Sequence, residues 1–431
     1  MASLGMTPPI DVVGGTVRMP GDKSMSHRAL MFSALATGRS RVRGILESDD
    51  VKSTADALRS LGWSLPVVGD AMTIDGGGLR SPTPAPLSRL ECGNSGTTTR
   101  LMAGIAAAQH FASSFVGDAS LSRRPMRRLA APLEAMGARV HFVDGHDGLP
   151  MTVRGGALHS VAWELPVASA QLKSAVLLAG LCGGVSVRVH EPAPTRDHTE
   201  QMLSAAGVTV SSADGWITLL PVQSLAPLDL DVPGDPSSAA FFVARALLAE
   251  RGSIRIENVL RSPFRDGFLH VVRRMGARIV ERIDALEGGG SRNALTVEAG
   301  ASLCGTSVGR DEVSAMIDEI PMLAVLAARA EGETVVRGAE ELRVKESDRI
   351  TAVVSNLRAI GVDADEVPDG LIVRGTRAPL RGHVRTHADH RIAMAFAVLG
   401  ASRDCVITLD DPECVSVSYP GFWRDLAHVA R

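Results

Sequence analysis

Five times along this chain a helix-like run ends in an apolar residue, passes through a glycine and continues into a short alternating stretch. The copies read LRSLGWSL, LEAMGARVHF, MLSAAGVTV, VVRRMGARIV and NLRAIGVDA, with glycines at Gly62, Gly137, Gly207, Gly276 and Gly361, spaced by 75, 70, 69 and 85 residues. A glycine after the last helical turn is what a left-handed C-cap requires, and the alternation beyond it has the period of a half-buried strand. Self-similarity at this spacing constrains the fold more than any other feature, because each copy must be the same supersecondary unit.

A second, more apolar helix-to-strand element falls between those copies: FSALATGRSRVRG, GIAAAQHFASSFVG, LAGLCGGVSVRV, ALLAERGSIRIENV, AVLAARAEGETVVRG and AFAVLGASRDCVITL. The two series interleave, so the repeating unit holds two helices and several strands in about 70 residues, and six units fill about 420 of the 431 positions. The C-terminal FWRDLAHVAR is then the last copy of the first helix. The alanine-rich helices carry few polar residues on any face, which predicts α/β lobes with these helices inside and the sheets outside. An ordinary doubly wound sheet does not account for six evenly spaced pairs. A change of character at Asp231-Val-Pro-Gly-Asp-Pro, midway along, predicts a boundary between two lobes, and clefts between lobes favour small ligands.

The charge balance narrows the ligand class. Lys and Arg number 45 against 48 Asp and Glu, a net charge of −3, and aromatic residues are 3% of the chain. Neither a basic field for a phosphodiester backbone nor a set of base-stacking rings is present, so no nucleic-acid partner is expected. The N-terminal MASLGMTPPIDVVGG has no signal-peptide pattern, and the apolar stretches at 101–116 and 175–187 are interrupted well short of a membrane span. A cytoplasmic protein without membrane contact is expected. Its five cysteines form no CxxC pair and are read as small buried hydrophobes.

Polar, glycine-bearing segments stand out against the apolar repeats. Met19-Pro-Gly-Asp-Lys-Ser-Met-Ser-His-Arg28 places Lys23, Ser24 and Arg28 at the start of a helix, where exposed N–H groups favour an anion. It lacks the spacing of a Walker loop. Cys92-Gly-Asn-Ser-Gly-Thr-Thr-Thr-Arg100 combines Gly93 and Gly96, which admit a close ligand, with Asn94, Ser95, Thr97 and Thr98, and looks like an oxyanion cradle. Gly117-Asp-Ala-Ser-Leu-Ser-Arg-Arg-Pro-Met126 has Pro125 where a helix can begin and Arg124 at its mouth; Arg124, Arg127 and Arg128 can also be read as a solvated face. Ser169 and Gln171 precede another apolar helix, as do Thr195 and Arg196. Later segments, Met316-Ile-Asp-Glu-Ile-Pro321, Leu342-Arg-Val-Lys-Glu-Ser-Asp-Arg349 and Ala388-Asp-His-Arg391, add carboxylates and further arginines. Cations in both halves with acids mainly in the second suit an anionic, hydroxylated small molecule. His387 with His390 lacks a third ligand at suitable spacing, so no metal is expected.

In order and spacing over essentially the whole chain, GDKSMSHR, GNSGTTTR, SLSRRPM, SAQLKSA, RVKESDR and DHRIAMA resemble the motifs of the 5-enolpyruvylshikimate-3-phosphate synthases, an enolpyruvyl transferase family. The resemblance implies a two-lobed inside-out α/β barrel of six βαβαββ repeats, three per lobe. The first lobe would cover 22–232 and the second 1–21 with 233–431, with the active site in the cleft between them. It also implies transfer of the enolpyruvyl group of phosphoenolpyruvate to the 5-hydroxyl of shikimate 3-phosphate with release of phosphate, no cofactor, a monomer and inhibition by glyphosate. Carried over by position, Lys23, Ser24, Arg28, Ser169, Gln171, Thr195, Arg196, Asp318 and Lys345 hold shikimate 3-phosphate. Lys23, Asn94, Gly96, Arg124, Gln171, Arg349 and Arg391 hold phosphoenolpyruvate, arginine forks suiting its carboxylate and phosphate.

The reaction adds a proton to a methylene carbon and removes one from the attacking hydroxyl, and Asp318 and Glu346 are the expected acid and base. Lys23 is the next candidate donor, with Ser347 and Asp348 as alternatives nearby. If RVKESDRI is helical, Glu346 and Arg349 share a face. Two positions depart from the enteric pattern, Glu341 in place of asparagine and Val417 in place of lysine, so the contacts made there are not carried over. A sister family acting on UDP-sugars carries a reactive cysteine in the loop matching Gly117–Arg124, where this chain has none. A non-catalytic binder of phosphorylated metabolites is the alternative outside the enzymes.

Overall fold

The computed structural model describes residues 12–82, 87–287 and 290–430. They form two compact units, one spanning Gly21–Val232 and the other joining the chain up to Pro20 with the chain from Pro233 onward.

Within Gly21–Val232 the repeat is clearest in its middle copy. Strand Leu87–Glu91, helix Gly96–Ala107, strand Ala112–Val116, helix Arg127–Ala135 and strands Arg139–Phe142 and Met151–Arg154 follow in order. Leu87–Glu91 pairs parallel with Ala112–Val116, and Met151–Arg154 lies antiparallel between Ala112–Val116 and Arg139–Phe142. The next copy, from Val161–Glu164 to Trp216–Leu219 around helices Ala170–Gly183 and His198–Ala205, repeats this topology. The first copy begins directly with helix Lys23–Leu35, and its missing parallel strand is supplied by Asp229–Asp231, which pairs with Thr37–Arg43. Here one expectation fails: the run after Gly62 is irregular through residue 69. Pro66 offers no N–H to a ladder, which accounts for the loss.

The other unit is built alike. Val12–Val13 and Thr16–Arg18 pair parallel with Arg251–Arg261, completing the copy that contains helices Pro236–Leu247 and Gly267–Arg274. A second copy runs from Ser307–Val308 to Gly370–Arg374 around helices Ile320–Ala327 and Arg349–Ala359. The third keeps only the parallel pair Leu380–Val384 and Cys405–Leu409 with helices His390–Gly400 and Phe422–His428.

All five repeat glycines adopt positive φ, from 81° at Gly207 to 109° at Gly276. The alanine-rich helices are buried along nearly their whole length, and within each unit they pack on one another. A Cβ on Gly104 would lie 2.1 Å from the carbonyl oxygen of Ala175, so glycine there lets helix Gly96–Ala107 rest directly on the backbone of helix Ala170–Gly183. Strands such as Leu87–Glu91 and Ala71–Gly77 alternate exposed and buried residues, as a sheet with one face on the helices must. Cys92, Cys182 and Cys414 are buried, whereas Cys304 is exposed and Cys405 half-buried, which corrects the uniform reading of the cysteines. Cys304 follows the loop after strand Gly290–Glu298, outside the apolar helices that bury the others. Among the described residues no helix is long and apolar enough to cross a membrane.

Candidate active site

The polar segments become helix mouths. Asp22 caps helix Lys23–Leu35 by accepting from the Met25 N–H, Ser95 caps Gly96–Ala107 through the Thr98 N–H, and Ser169 caps Ala170–Gly183 through the Leu172 N–H. Each cap fixes where the next residues point. Pro125 does not begin a helix: Asp118 caps the short turn Ala119–Ser122, and the longer helix starts only at Arg127. Arg124 is thereby drawn inward and buried, while Arg127 stays exposed.

In the unit Gly21–Val232, Lys23 Nζ lies 2.9 Å from Asp50 Oδ2. Arg28 is buried, and burial lowers its pKa to about 10. Its guanidinium donates to Thr199 Oγ1 at 2.7 Å, Ser174 Oγ at 2.7 Å and Ser24 Oγ at 2.7 Å, so one arginine ties three helices together. Gln171 donates to Thr97 Oγ1 at 3.0 Å and accepts from Arg100 Nη1 at 2.7 Å. Arg124 Nη2 donates to Asn94 Oδ1 at 2.6 Å, and the Asn94 amide donates to Asp118. A Cβ on Gly96 would lie 2.9 Å from Arg100 Nη1 and 3.3 Å from Arg124 Nη1, so this glycine faces two guanidinium groups. Thr195 donates to Glu191, and Thr195 and Arg196 immediately precede helix His198–Ala205.

In the other unit RVKESDRI is not one helix: a 3-10 turn, Glu340–Val344, ends at its second residue, and the α-helix begins at Arg349, where Asp348 caps it through the Thr351 N–H. Glu346 nevertheless meets Arg349, with its Oε2 2.6 Å from Nη2. Arg349 is 1% exposed and held by three carboxylates: it donates to Asp389 at 2.8 Å and 3.2 Å, and Nη1 reaches Asp318 at 3.4 Å. These anions overcome the cost of burial and raise its pKa. Asp389 is fully buried; desolvation opposes its ionisation, but the Arg349 charge prevails and lowers its pKa. Asp389 also accepts from Ser347 Oγ at 2.9 Å and caps helix His390–Gly400. Arg391 Nη1 donates to the Asp318 carbonyl at 3.1 Å. Lys345, half-buried, directly precedes Glu346.

Thus Asp318, Glu346, Arg349 and Arg391 come together as one cluster, Asn94, Gly96 and Arg124 as a second, and Lys23, Ser24 and Arg28 share one helix mouth. The sequence reading missed three partners. Arg100 ends the segment GNSGTTTR and holds Gln171. Asp389 stood among the acids of Ala388-Asp-His-Arg391, but its role as the buried counterion of Arg349 needed the fold. Asp50, partner of Lys23, carried no signal at all. Among the described residues no three His, Cys, Asp or Glu side chains are grouped to hold a metal ion.

Residues 8–426 match the family described as EPSP synthase (3-phosphoshikimate 1-carboxyvinyltransferase). The 3-phosphoshikimate 1-carboxyvinyltransferase of Alkaliphilus metalliredigens is 42% identical, over 99% of this chain and 100% of its own. That of Xanthomonas euvesicatoria pv. vesicatoria is 47% identical, over 95% of this chain and 92% of its own. Among solved structures, an EPSP synthase from Acinetobacter baumannii superimposes with a TM-score of 0.84 at 39% identity, covering 97% of this chain and 96% of the other. The enolpyruvyl transferase NikO from Streptomyces tendae shares the fold at 17% identity, with a TM-score of 0.74 over 97% of this chain and 95% of its own.

Proposed function

The chain belongs to the EPSP synthase (3-phosphoshikimate 1-carboxyvinyltransferase) family, and from that premise we propose how its side chains divide the work. It is a transferase of the shikimate pathway: the enolpyruvyl group of phosphoenolpyruvate passes to the 5-hydroxyl of shikimate 3-phosphate, and phosphate leaves. In our reading Ser24, Arg28, Ser169, Thr195, Arg196 and Lys345 hold shikimate 3-phosphate, with Lys23, Gln171 and Asp318 also on this substrate. Asn94, Gly96, Arg124, Arg349 and Arg391 hold phosphoenolpyruvate, sharing Lys23 and Gln171.

The new C–O bond forms between the 5-hydroxyl oxygen and C2 of phosphoenolpyruvate, while C3 takes up a proton and the hydroxyl loses one. The tetrahedral intermediate then loses phosphate and a C3 proton, restoring the double bond. Asp318 and Glu346 are proposed to move these protons, with Lys23 as the further candidate donor. The observation that carries this reading is the cluster of Asp318, Glu346 and Asp389 around the buried Arg349, with Arg391 beside Asp318. Asp389 serves as the buried counterion of Arg349, and Asp318 and Glu346, more open beside it, are the carboxylates that we assign to proton transfer.

The proposal includes a monomeric enzyme of the cytoplasm, inhibited by glyphosate and needing neither metal nor organic cofactor, since cationic side chains and helix mouths bind the phosphoryl oxygens. Phosphate release measured with shikimate 3-phosphate, phosphoenolpyruvate, both or neither tests it. Release is expected only with both, and EDTA should leave the rate unchanged. Release from phosphoenolpyruvate alone, or a strict need for Mg²⁺, defeats the reading.

A further inference from the structure

Behind the residues assigned to shikimate 3-phosphate lies a buried ionic group with no part in the chemistry above. Lys173 is 1% exposed, two positions after Gln171 on helix Ala170–Gly183. Its ammonium lies 2.9 Å from Glu191 Oε2 and 2.6 Å from Glu200 Oε1. The second oxygen of Glu191 accepts the hydroxyl proton of Thr195, so one lysine sets the carboxylate that sets the Thr195 rotamer. Glu200 follows Thr199, which accepts from Arg28 and shares a 2.6 Å hydrogen bond with Ser174, the neighbour of Lys173. Burial raises the Glu200 pKa, and Lys173 opposes that rise. Removing the ammonium alone would leave two nearly buried carboxylates without their counter-charge, so Lys173 holds Glu191 and Glu200 ionised and in place.

Resting on the functional reading above, we propose that Lys173 is a positioning residue for shikimate 3-phosphate. Through Glu191 it fixes Thr195, and through Glu200 it seats the start of helix His198–Ala205 against Arg28. The ammonium touches no substrate. Its loss therefore affects one substrate and not the other, because the cluster of Asn94, Gly96 and Arg124 shares none of these contacts.

The test uses Lys173→Met, Glu191→Gln, Thr195→Val and the double variant Lys173→Met with Thr195→Val, in the full chain. Calorimetry with shikimate 3-phosphate alone is combined with KM for each substrate and kcat. Lys173→Met is expected to weaken shikimate 3-phosphate about tenfold, a loss on the scale of one misplaced hydrogen bond, with KM for phosphoenolpyruvate within about twofold. The double variant should lose less than the sum of the two single losses, since the Glu191 part of the Lys173 effect passes through the Thr195 hydroxyl. Glu191→Gln should reproduce the same selective loss, and it carries the test if Lys173→Met does not fold. Additive losses, equal weakening of both substrates, or unchanged shikimate 3-phosphate affinity in Glu191→Gln overturn the proposal. If the parent protein binds no shikimate 3-phosphate, the functional reading itself has failed and this inference falls with it.

Discussion

At Gly96 a single hydrogen atom stands where any side chain would press on two guanidinium groups. Gly96→Ala should push Arg100 and Arg124 away from the cradle and reduce the room they leave for a phosphoryl group. Both contacts are with the ends of flexible side chains, so the cost falls on guanidinium placement rather than on folding, and one weakened charge-assisted hydrogen bond is worth roughly tenfold in affinity. We expect KM for phosphoenolpyruvate and the glyphosate inhibition constant to rise by about that factor in steady-state assays, with KM for shikimate 3-phosphate little changed. Equal weakening of both substrates would instead indicate a folding defect. Glu346 offers a second test, because its carboxylate meets Arg349 although the segment between them is not helical. Glu346→Gln preserves shape and one carbonyl oxygen but cannot cycle a proton. General acid–base catalysis contributes about 10²- to 10⁴-fold, so kcat should fall by that order while shikimate 3-phosphate binding survives. A kcat within about threefold of the parent, with a steeply raised KM, would make Glu346 a binding residue and move attention to Lys23.

At the scale of the element, the repeat glycines do the same job at each helix exit. Gly361 has φ of +96° and no atom within 4 Å of where a Cβ would stand, so Gly361→Ala meets strain without any clash. A left-handed position costs an L-residue about 1–2 kcal/mol, and thermal unfolding should begin roughly 2–8 °C lower. Gly69→Ala is the control, since that site is equally open and its backbone is not left-handed; it should melt with the parent. The helix ends also show why Glu346 and Arg349 meet without a helix between them. Were RVKESDRI one helix, Glu346 and Arg349 would share a face; instead Asp348 satisfies the Thr351 N–H and the helix begins at Arg349. The turn before it still brings the carboxylate back onto the arginine. Caps are short-range, so an aspartate in such a motif carries the signal, but whether it caps or pairs depends on what lies opposite.

Across the whole molecule, each unit closes its first repeat with a strand from a distant part of the chain: Asp229–Asp231 in one and residues 12–18 in the other. In the first of these repeats, a buried histidine makes the fold acid-sensitive. His27 has its Nδ1 2.6 Å from Thr54 Oγ1, and burial, with Lys23 and Arg28 adding to it, lowers its pKa well below the ordinary 6.5. As pH falls, the unfolded chain takes up the proton first. The stability contributed by neutral His27 is therefore complete above about pH 6.5 and is lost progressively as pH drops toward the depressed folded value. Urea midpoints measured from pH 8 to pH 5.5 should decline below about pH 6.5, and His27→Asn should flatten that part of the profile. A parent midpoint that is constant over the range would show that His27 takes up its proton as readily in the folded state as in the unfolded one.

The sequence by itself determined the repeat, the burial of the alanine-rich helices and the helix starts beside Lys23, Arg28 and Asn94. Each of these follows from local rules: a glycine that alone tolerates positive φ, a period that buries every face of a helix, a polar cap before an apolar run. Only the tertiary structure decided that Asp389 would be the buried counterion of Arg349, that Asp50 would hold Lys23, and that Lys173 would sit between Glu191 and Glu200. The physical reason is range. Cap and period act over a few residues of chain, whereas a buried charge selects its partner through space, from elements whose separation in sequence says nothing about their contact.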